Sequence, residues 1–169
     1  MTFKNWFNRI SLLVALALFS ASYNYAQDKS EAKENKKEAI QKLVESKRFT
    51  FIARSASPMG GRFIQLTSLY DLKLSADTVK SDLPYYGRAY VAPLNPTESA
   101  LRFTSTDFNY DIKERKKGGW DITITPKDAK EVRQMQMTVS ENGYASLQVT
   151  SINRQPISFS GIIDERNRS

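Results

Sequence analysis

From Arg48 onward, apolar residues recur at every second position, and this period of two constrains the fold more than any other feature of the chain. The run that begins at Phe49 shows it first, with Phe51 and Ala53 in the same phase. Successive side chains of a β-strand point to opposite faces, so this alternation favours half-buried strands over helices. The pattern predicts a domain built mainly from strands.

Turn signals divide the alternating region into about nine or ten short segments. Pro58, Gly60 and Gly61 end the first of them, and Asn142-Gly143 is typical of the type I′ turn of a β-hairpin. Connections of hairpin length favour antiparallel neighbours. We therefore predict an all-β fold, mainly an antiparallel meander that is barrel-like or forms a two-sheet sandwich, with one N-terminal α-helix.

Large side chains in the apolar phase of each segment are predicted to form the core. They are Phe49, Phe51, Leu72, Leu74, Phe103, Trp120, Ile122, Met137, Leu147, Val149 and Phe159. Because the chain has no cysteine, this core must stabilise the domain without disulfides.

Residues 1–26 have the composition of a bacterial signal peptide. Lys4 and Arg9 give a positively charged start, Ile10–Phe19 is a short apolar run, and small residues precede the end at Ala26. The apolar run is well below the roughly 20 residues that a membrane-spanning helix needs. We expect cleavage after Ala26 and export, so that the protein is periplasmic or secreted and does not span a membrane after cleavage.

The chain after the signal peptide divides by composition into two parts. Residues 27–38 are rich in lysine and glutamate and are predicted to be a flexible, charged lead-in. Residues 39–169 are predicted to form a single β-rich domain. The helix at its start has an apolar stripe of Ala39, Ile40, Leu43 and Val44. A stripe this narrow suits packing against one end or edge of the sheet, and not a membrane-active helix.

The chain contains no histidine and no cysteine. This excludes Ser-His-Asp and Cys-His catalysis. It also removes the usual protein ligands of zinc, haem and copper. No cofactor is therefore expected. Chemistry by carboxylate pairs, by a Ser-Lys dyad or through oxygen-ligated calcium stays open.

One segment begins like a calcium-binding loop. Asp107, Asn109 and Asp111 match its first ligands, but Ile112 stands where the loop needs glycine, and Gly118 stands where it needs glutamate. The same alternation suits a strand with a polar outer face. No metal site is predicted.

Dispersed carboxylates leave a hydrolase open as an alternative function. Such an enzyme needs two carboxyl groups held about 5 to 10 Å apart across a cleft. The candidates are Asp71, Asp82, Asp121, Asp128 and Asp164. Their separation along the chain does not establish that geometry.

Residues 113–117 form a basic segment directly before two glycines. Such a segment can contact phosphate or an acidic partner, but it is typical of a solvated hairpin tip. No aromatic ladder flanks it, so binding of nucleic acid is not expected.

The richest cluster of side chains suited to binding lies in Tyr85–Val91, which is predicted to be a strand. In a strand, Tyr86, Arg88 and Tyr90 share one face, where they could stack on and hydrogen-bond a planar or anionic ligand. Gly87 would let a ligand or a backbone approach closely. We predict that these three side chains line the ligand site. The alternative is ordinary packing, with Arg88 paired to a carboxylate.

Several sequence blocks occur in an order that is characteristic of one family. They are Tyr70–Leu74, Leu83–Tyr90, Gly118–Ile122, Ser140–Ala145 and Asn153–Ile157. Together with the signal peptide, they resemble the bacterial family called domain of unknown function 4251, over roughly Ala39 to Asp164. The resemblance implies small exported proteins with no assigned activity, and it implies no catalytic or binding residues.

These features favour a non-catalytic binding or envelope-accessory domain, whose partner is a small ligand or an envelope protein. A carboxylate-based hydrolase and a structural partner protein with no pocket are the alternatives. A closed apolar cavity would favour the binding domain, and two facing carboxylates would favour the hydrolase. An exposed apolar patch of several hundred Å² would favour the structural partner.

Processing of the signal peptide gives the first testable prediction. The exported protein should begin at or near Gln27, because small residues at 20–26 follow the apolar run. N-terminal sequencing of protein from the envelope fraction measures this directly. Recovery of membrane-embedded material that still begins at Met1 would contradict it.

Overall fold

The computed structural model describes residues 31–90 and 101–165. The predicted signal peptide and the first residues of the charged lead-in lie outside the described residues. Internal contacts divide the chain into two compact units, Met1–Glu38 and Ala39–Ser169. Within the first unit, residues 31–38 are helical.

Helix α1 spans residues 31–46, and nine strands follow it in the described part of the chain. The strands are β1 (Phe49–Pro58), β2 (Ile64–Ser75), β3 (Thr78–Asp82), β4 (Arg102–Ser105), β5 (Phe108–Glu114), β6 (Trp120–Pro126), β7 (Val132–Val139), β8 (Tyr144–Ser151) and β9 (Ile157–Glu165). Each strand begins and ends close to the turn signals of the sequence.

The strands form one antiparallel sheet in which the first strand pairs with the last. The order is β4-β3-β2-β1-β9-β8-β7-β6-β5, so β1 and β9 are neighbours that are distant in sequence. Their pairing curls the meander into a nearly closed barrel, whose open edges within the described residues are β4 and β5. This confirms the predicted all-β antiparallel meander with one helix, in its barrel-like form.

The pairing of β1 with β9 depends on a close approach at Gly161. Gly161 lies opposite Ala53, and a Cβ atom there would collide with the carbonyl oxygen of Ile52 and crowd the ring of Phe51. At Arg54, β1 has one residue more than β9. Such a bulge bends a strand and increases its twist, as a small barrel requires.

The apolar phase of the strands fills the interior. On β6, Trp120, Ile122 and Ile124 are buried, while the residues between them are at least partly exposed. Every residue predicted for the core is buried except Phe103, which is half-buried. Phe103 lies on β4, which ends the described sheet and has a neighbouring strand on one side only.

The second half of α1, from Ala39 onward, covers one end of the barrel. Ile40 and Val44 are buried in the core, and the hydroxyl of Tyr110 on β5 donates a hydrogen bond to the carbonyl of Val44 at 2.7 Å. Burial raises the pKa of Tyr110 above its ordinary value. The ammonium of Lys47, just after the helix, lies 5.2 Å from the centre of the Tyr110 ring. Three of the four residues in the predicted stripe, Ile40, Leu43 and Val44, therefore form the contact face of the helix, while Ala39 is exposed.

The strand predicted over Tyr85–Val91 is wrong for the residues that the structure describes. Residues 83–88 form no strand, and a single bridge joins Ala89 to Arg154. Pro84 has no N–H to donate to a sheet, and the chain bends at Gly87. Val91 lies outside the described residues.

Replacing Trp120 by alanine should lower the free energy of unfolding by about 3 to 5 kcal/mol, because truncation of a large buried aromatic loses its packing and leaves a cavity. Trp120 is 4% exposed. Denaturant unfolding of the two proteins measures the difference. Tyr144→Ala is the matched control, because Tyr144 is 62% exposed. A loss below about 1 kcal/mol for Trp120→Ala would contradict its place in the core.

Candidate functional site

Three segments meet at the end of the barrel opposite α1. They are residues 59–63 after β1, residues 84–90 after β3, and residues 152–156 between β8 and β9. The N–H of Met59 donates to the carbonyl of Pro156 at 3.3 Å, and the N–H of Tyr90 donates to the carbonyl of Asn153 at 2.8 Å. We call the outer face of these three segments the distal surface.

Tyr85 attaches residues 84–90 to the turn between β8 and β9. Its hydroxyl lies 2.8 Å from the carbonyl oxygen of Arg88 and 3.0 Å from that of Gln155. The N–H of Gln155 donates in turn to the carbonyl of Arg88 at 3.0 Å. The backbone of Arg88 is therefore fixed from two sides.

Arg154 supports Tyr85 from behind. Its guanidinium lies 5.1 Å from the centre of the Tyr85 ring, and its Nε donates to the carboxylate of Glu131 at 2.8 Å. Burial raises the pKa of the Tyr85 hydroxyl, and the positive charge of Arg154 opposes part of that rise. The Arg154 side chain is 11% exposed while that of Glu131 is 36% exposed, so the pair lies at the boundary with solvent and orients the guanidinium against the Tyr85 ring.

Gly87 is needed for the same arrangement. A Cβ atom at this position would collide with the hydroxyl and ring of Tyr85. The close approach predicted at Gly87 is therefore made by a side chain two residues earlier. Any larger residue would displace Tyr85 from its carbonyl partners.

The structure brings the three predicted site residues to the distal surface. Tyr86 is 43% exposed, Tyr90 is 66% exposed, and Arg88 between them is also exposed. Burial raises the pKa of Tyr86, and a side-chain hydrogen bond with Tyr70 raises it further. Since the segment is not a strand, it is the bend at Gly87 that sets the directions of these side chains.

Apolar residues missed by the sequence analysis extend this surface. Met59 and Phe63 flank the glycines of the β1–β2 turn and are 64% and 66% exposed, and Ile152 in the β8–β9 turn is also exposed. The available signal was the presence of large apolar residues in a glycine-containing turn, where polar residues are usual. The distal surface therefore combines aromatic and aliphatic side chains from all three segments.

Exposed arginines give the distal surface a positive charge. Arg62 lies in the β1–β2 turn and Arg88 lies on residues 84–90, while Arg54 is exposed outside the distal surface, at the bulge in the middle of β1. In the part of the chain that the structure describes, none of the three forms an ion pair. Glu131, the carboxylate that lies behind the surface, is already bound to Arg154.

The carboxylates considered for a hydrolase each have a local partner. Asp71 and Asp82 lie opposite one another on β2 and β3, but Asp71 pairs with Lys73 at 3.4 Å and Asp82 pairs with Arg102 at 2.7 Å. Asp121 accepts a hydrogen bond from Thr138 at 2.8 Å. These contacts give the carboxylates structural roles on the outside of the sheet.

Asp128 has a comparable structural role in the turn after β6. Hydrogen bonds from the hydroxyl of Ser105 and the N–H of Thr106 lower the pKa of its carboxyl. Asp164 accepts from the N–H of Glu165 at 2.8 Å. Neither residue faces a second carboxylate in these contacts, so the hydrolase gains no support from them.

The calcium-like segment is part of a hairpin. Asn109 and Asp111 lie on β5, while the carboxylate of Asp107 pairs with Lys127 at 3.1 Å. Among the described residues, no group of three or more acidic side chains is placed to hold a metal ion.

The basic segment 113–117 forms the end of β5 and the β5–β6 turn, at the end of the barrel that α1 covers. The N–H of Gly118 donates to the carbonyl of Arg115 at 3.0 Å, which closes a tight turn. Lys116 and Lys117 are exposed. This is the solvated hairpin tip that the sequence indicates, and it lies far from the distal surface.

Within residues 31–90 and 101–165, no helix has the length and apolar character required to cross a membrane. A comparison with curated proteins gives no match. Among solved structures, the chain is similar to a crystal structure of a DUF4251 family protein from Bacteroides eggerthii DSM 20697 at 1.95 Å resolution. The TM-score is 0.59 at 13% identity, over 79% of this chain and 90% of that chain, which shows a common fold.

The family of the chain follows from its sequence and its fold together. The family model described as Domain of unknown function (DUF4251) matches residues 31–163, which include α1 and nearly all of the barrel. The family resemblance expected from the sequence blocks is confirmed. The chain belongs to the DUF4251 family.

Proposed function

We propose that this protein is an exported, non-catalytic binding domain of the bacterial envelope, which binds an anionic ligand with an apolar part at its distal surface. Export rests on the signal peptide predicted at residues 1–26. Binding rests on one observation above all: Arg88 is exposed, has no carboxylate partner among the described residues and has a fixed backbone.

The fixed backbone of Arg88 supports a binding role because it lowers the entropy lost when a ligand is bound. Its carbonyl accepts from both Tyr85 and Gln155. A guanidinium offers a planar set of N–H donors that matches carboxylate or phosphate oxygens. An anion is therefore the ligand group that Arg88 suits best.

The neighbours of Arg88 favour a ligand that also has an apolar part. Tyr86 and Tyr90 each present an aromatic ring and a hydroxyl, so they can contact both parts of an amphipathic molecule. Ile152 and Met59 add exposed aliphatic surface in the adjoining turns. A purely polar anion would leave these contacts unused.

Side chains fill the described interior of the barrel, so the closed cavity that would favour a ligand inside it gains no support, and the proposal rests on an external site. Phe49, Phe51 and Phe159 are fully buried within the barrel, together with large aliphatic residues of the other strands. The exposed Tyr86, Arg88 and Tyr90 lie on the distal surface. We therefore place the ligand on this surface and not inside the barrel.

The proposal is tested with octyl phosphate, which joins one anionic group to one short alkyl chain. Octyl glucoside has the same chain without the charge, and inorganic phosphate has the charge without the chain. Titration below micelle-forming concentrations, followed by protein NMR, should show tightest binding of octyl phosphate. The largest shift changes should lie at Tyr86, Arg88 and Tyr90.

Arg88→Ala should weaken octyl phosphate binding by about 1.5 to 3 kcal/mol, the usual contribution of hydrogen bonds to charged groups. This corresponds to roughly a 10- to 150-fold rise in Kd. Arg48→Ala is the matched control, because Arg48 is also exposed but precedes β1 at the opposite end. Equal affinity of Arg88→Ala and the unchanged protein would contradict the proposed function.

A further inference from the structure

The β1–β2 turn carries apolar side chains away from the body of the barrel. Met59 and Phe63 are both about two-thirds exposed, and a Cβ atom at Gly60 between them would meet nothing within 4 Å. The turn is nevertheless well formed, since the N–H of Gly61 donates to the carbonyl of Pro58 at 3.0 Å. It is a fixed, projecting apolar tip.

Single exposed apolar residues are normal on protein surfaces, but a continuous group of them marks a surface that contacts something. Here the tip is joined through the Met59–Pro156 hydrogen bond to the turn that carries Ile152. The same turn is joined to the segment that carries Tyr86 and Tyr90. The segments that carry the exposed apolar and aromatic groups are therefore joined at the distal end of the barrel.

Positive charge is interleaved with these apolar groups. Arg62 lies between Met59 and Phe63 in the tip, and Arg88 lies between the two tyrosines. Neither arginine has a carboxylate partner among the described residues. A partner that fits this pattern must be negatively charged at its surface and apolar beneath it.

An anionic lipid bilayer has that layered structure. Apolar side chains next to arginines and lysines bind at the boundary between headgroups and acyl chains. Each arginine close to an anionic membrane surface contributes about 1 kcal/mol. Tyrosines are enriched at the depth of the headgroups because their rings are amphipathic. The distal surface has all three kinds of residue.

We infer that the distal surface docks on the surface of an anionic phospholipid bilayer, with Met59 and Phe63 entering the boundary between headgroups and acyl chains and with Arg62 and Arg88 binding lipid phosphates. This inference rests on the proposed function of the same surface and names its ligand. The exposed tip favours a membrane over a folded protein partner, because its apolar side chains can enter a deformable surface.

The geometry places suitable controls at the other end of the barrel. The ten residues of β1 run from the α1 end to the distal surface, a length of about 30 Å. Arg48 and Tyr144 lie at the α1 end, and Tyr144 is 62% exposed, close to the value for Phe63. A variant at Arg48 loses the same charge as one at Arg62, and a variant at Tyr144 loses an exposed aromatic ring as one at Phe63 does, but neither changes the distal surface.

The test is cosedimentation of the protein, recovered from the bacterial cell, with two kinds of vesicle. The first is an equimolar mixture of phosphatidylglycerol and phosphatidylcholine, and the second is phosphatidylcholine alone. The protein should bind the anionic vesicles more tightly, and high salt should weaken that binding. Arg62→Ala should weaken it about fivefold, and Phe63→Ser about tenfold from lost apolar burial. Arg48→Ala and Tyr144→Ser should change it less than about twofold.

Insertion of the tip has an independent readout. In Phe63→Trp, the emission of the introduced tryptophan is obtained by subtracting the spectrum of the unchanged protein. On anionic vesicles this emission should shift to shorter wavelength and be quenched by brominated acyl chains. Absence of both changes would overturn the inference. It is overturned as well if Phe63→Ser keeps its fold and cosediments like the unchanged protein.

The two proposals fail in different ways. If octyl phosphate binds through Arg88 but anionic vesicles do not bind, the membrane inference is wrong and the proposed function stands. If neither binds, both are wrong. If vesicles do not bind and Phe63→Ser instead weakens a complex with a purified envelope protein, the surface is a protein-docking site and the membrane inference is overturned.

Discussion

Pairing of the first strand with the last is the constraint on which the remaining structure depends. It joins β1 to β9 and turns an open meander into a nearly closed barrel with two distinct ends. The pairing requires that no side chain project at Gly161, where the carbonyl oxygen of Ile52 occupies the space. It also places the turn after β1 beside the turn before β9, through the pairing of Pro58 with Ile157. The distal surface is formed because these two turns lie side by side.

The two ends of the barrel are finished in different ways. At one end, α1 covers the interior with Ile40 and Val44, and Tyr110 holds the helix through a hydrogen bond to its last turn. At the other end, a hydrogen bond from the hydroxyl of Tyr85 to the carbonyl of Gln155 attaches residues 84–90 to the β8–β9 turn, and the guanidinium of Arg154 packs over the Tyr85 ring. At the first end the helix closes the core, although Tyr144 and Arg48 are exposed there. The second leaves arginines and large apolar side chains exposed, and for this reason we assign binding to it.

The candidate site shows how far residue patterns predict a surface. The chemistry of Tyr86, Arg88 and Tyr90 predicts contact with a planar or anionic ligand, and the structure exposes all three. The predicted strand was wrong, because alternation of residue types does not reveal that Tyr85 folds back over Gly87. Met59 and Phe63 were not selected, since an apolar residue in a turn is a weak signal until its exposure is known. The turn that carries them and the segment that carries Arg88 both contact the β8–β9 turn, an arrangement that arises between segments distant in sequence.

The sequence by itself determined the class of the fold, its antiparallel connections and the burial of ten of the eleven large side chains predicted for the core. These follow from a period of two and from turn residues, both of which are local properties of the chain. It also excluded catalysis and metal binding that depend on histidine or cysteine. Only the tertiary structure decided between barrel and sandwich, because that choice depends on whether β1 reaches β9. It likewise decided that Phe103 is half-buried on an end strand, and that Arg62 and Arg88 lie on one surface. Those outcomes depend on pairing between residues far apart in the chain, which local periodicity does not encode.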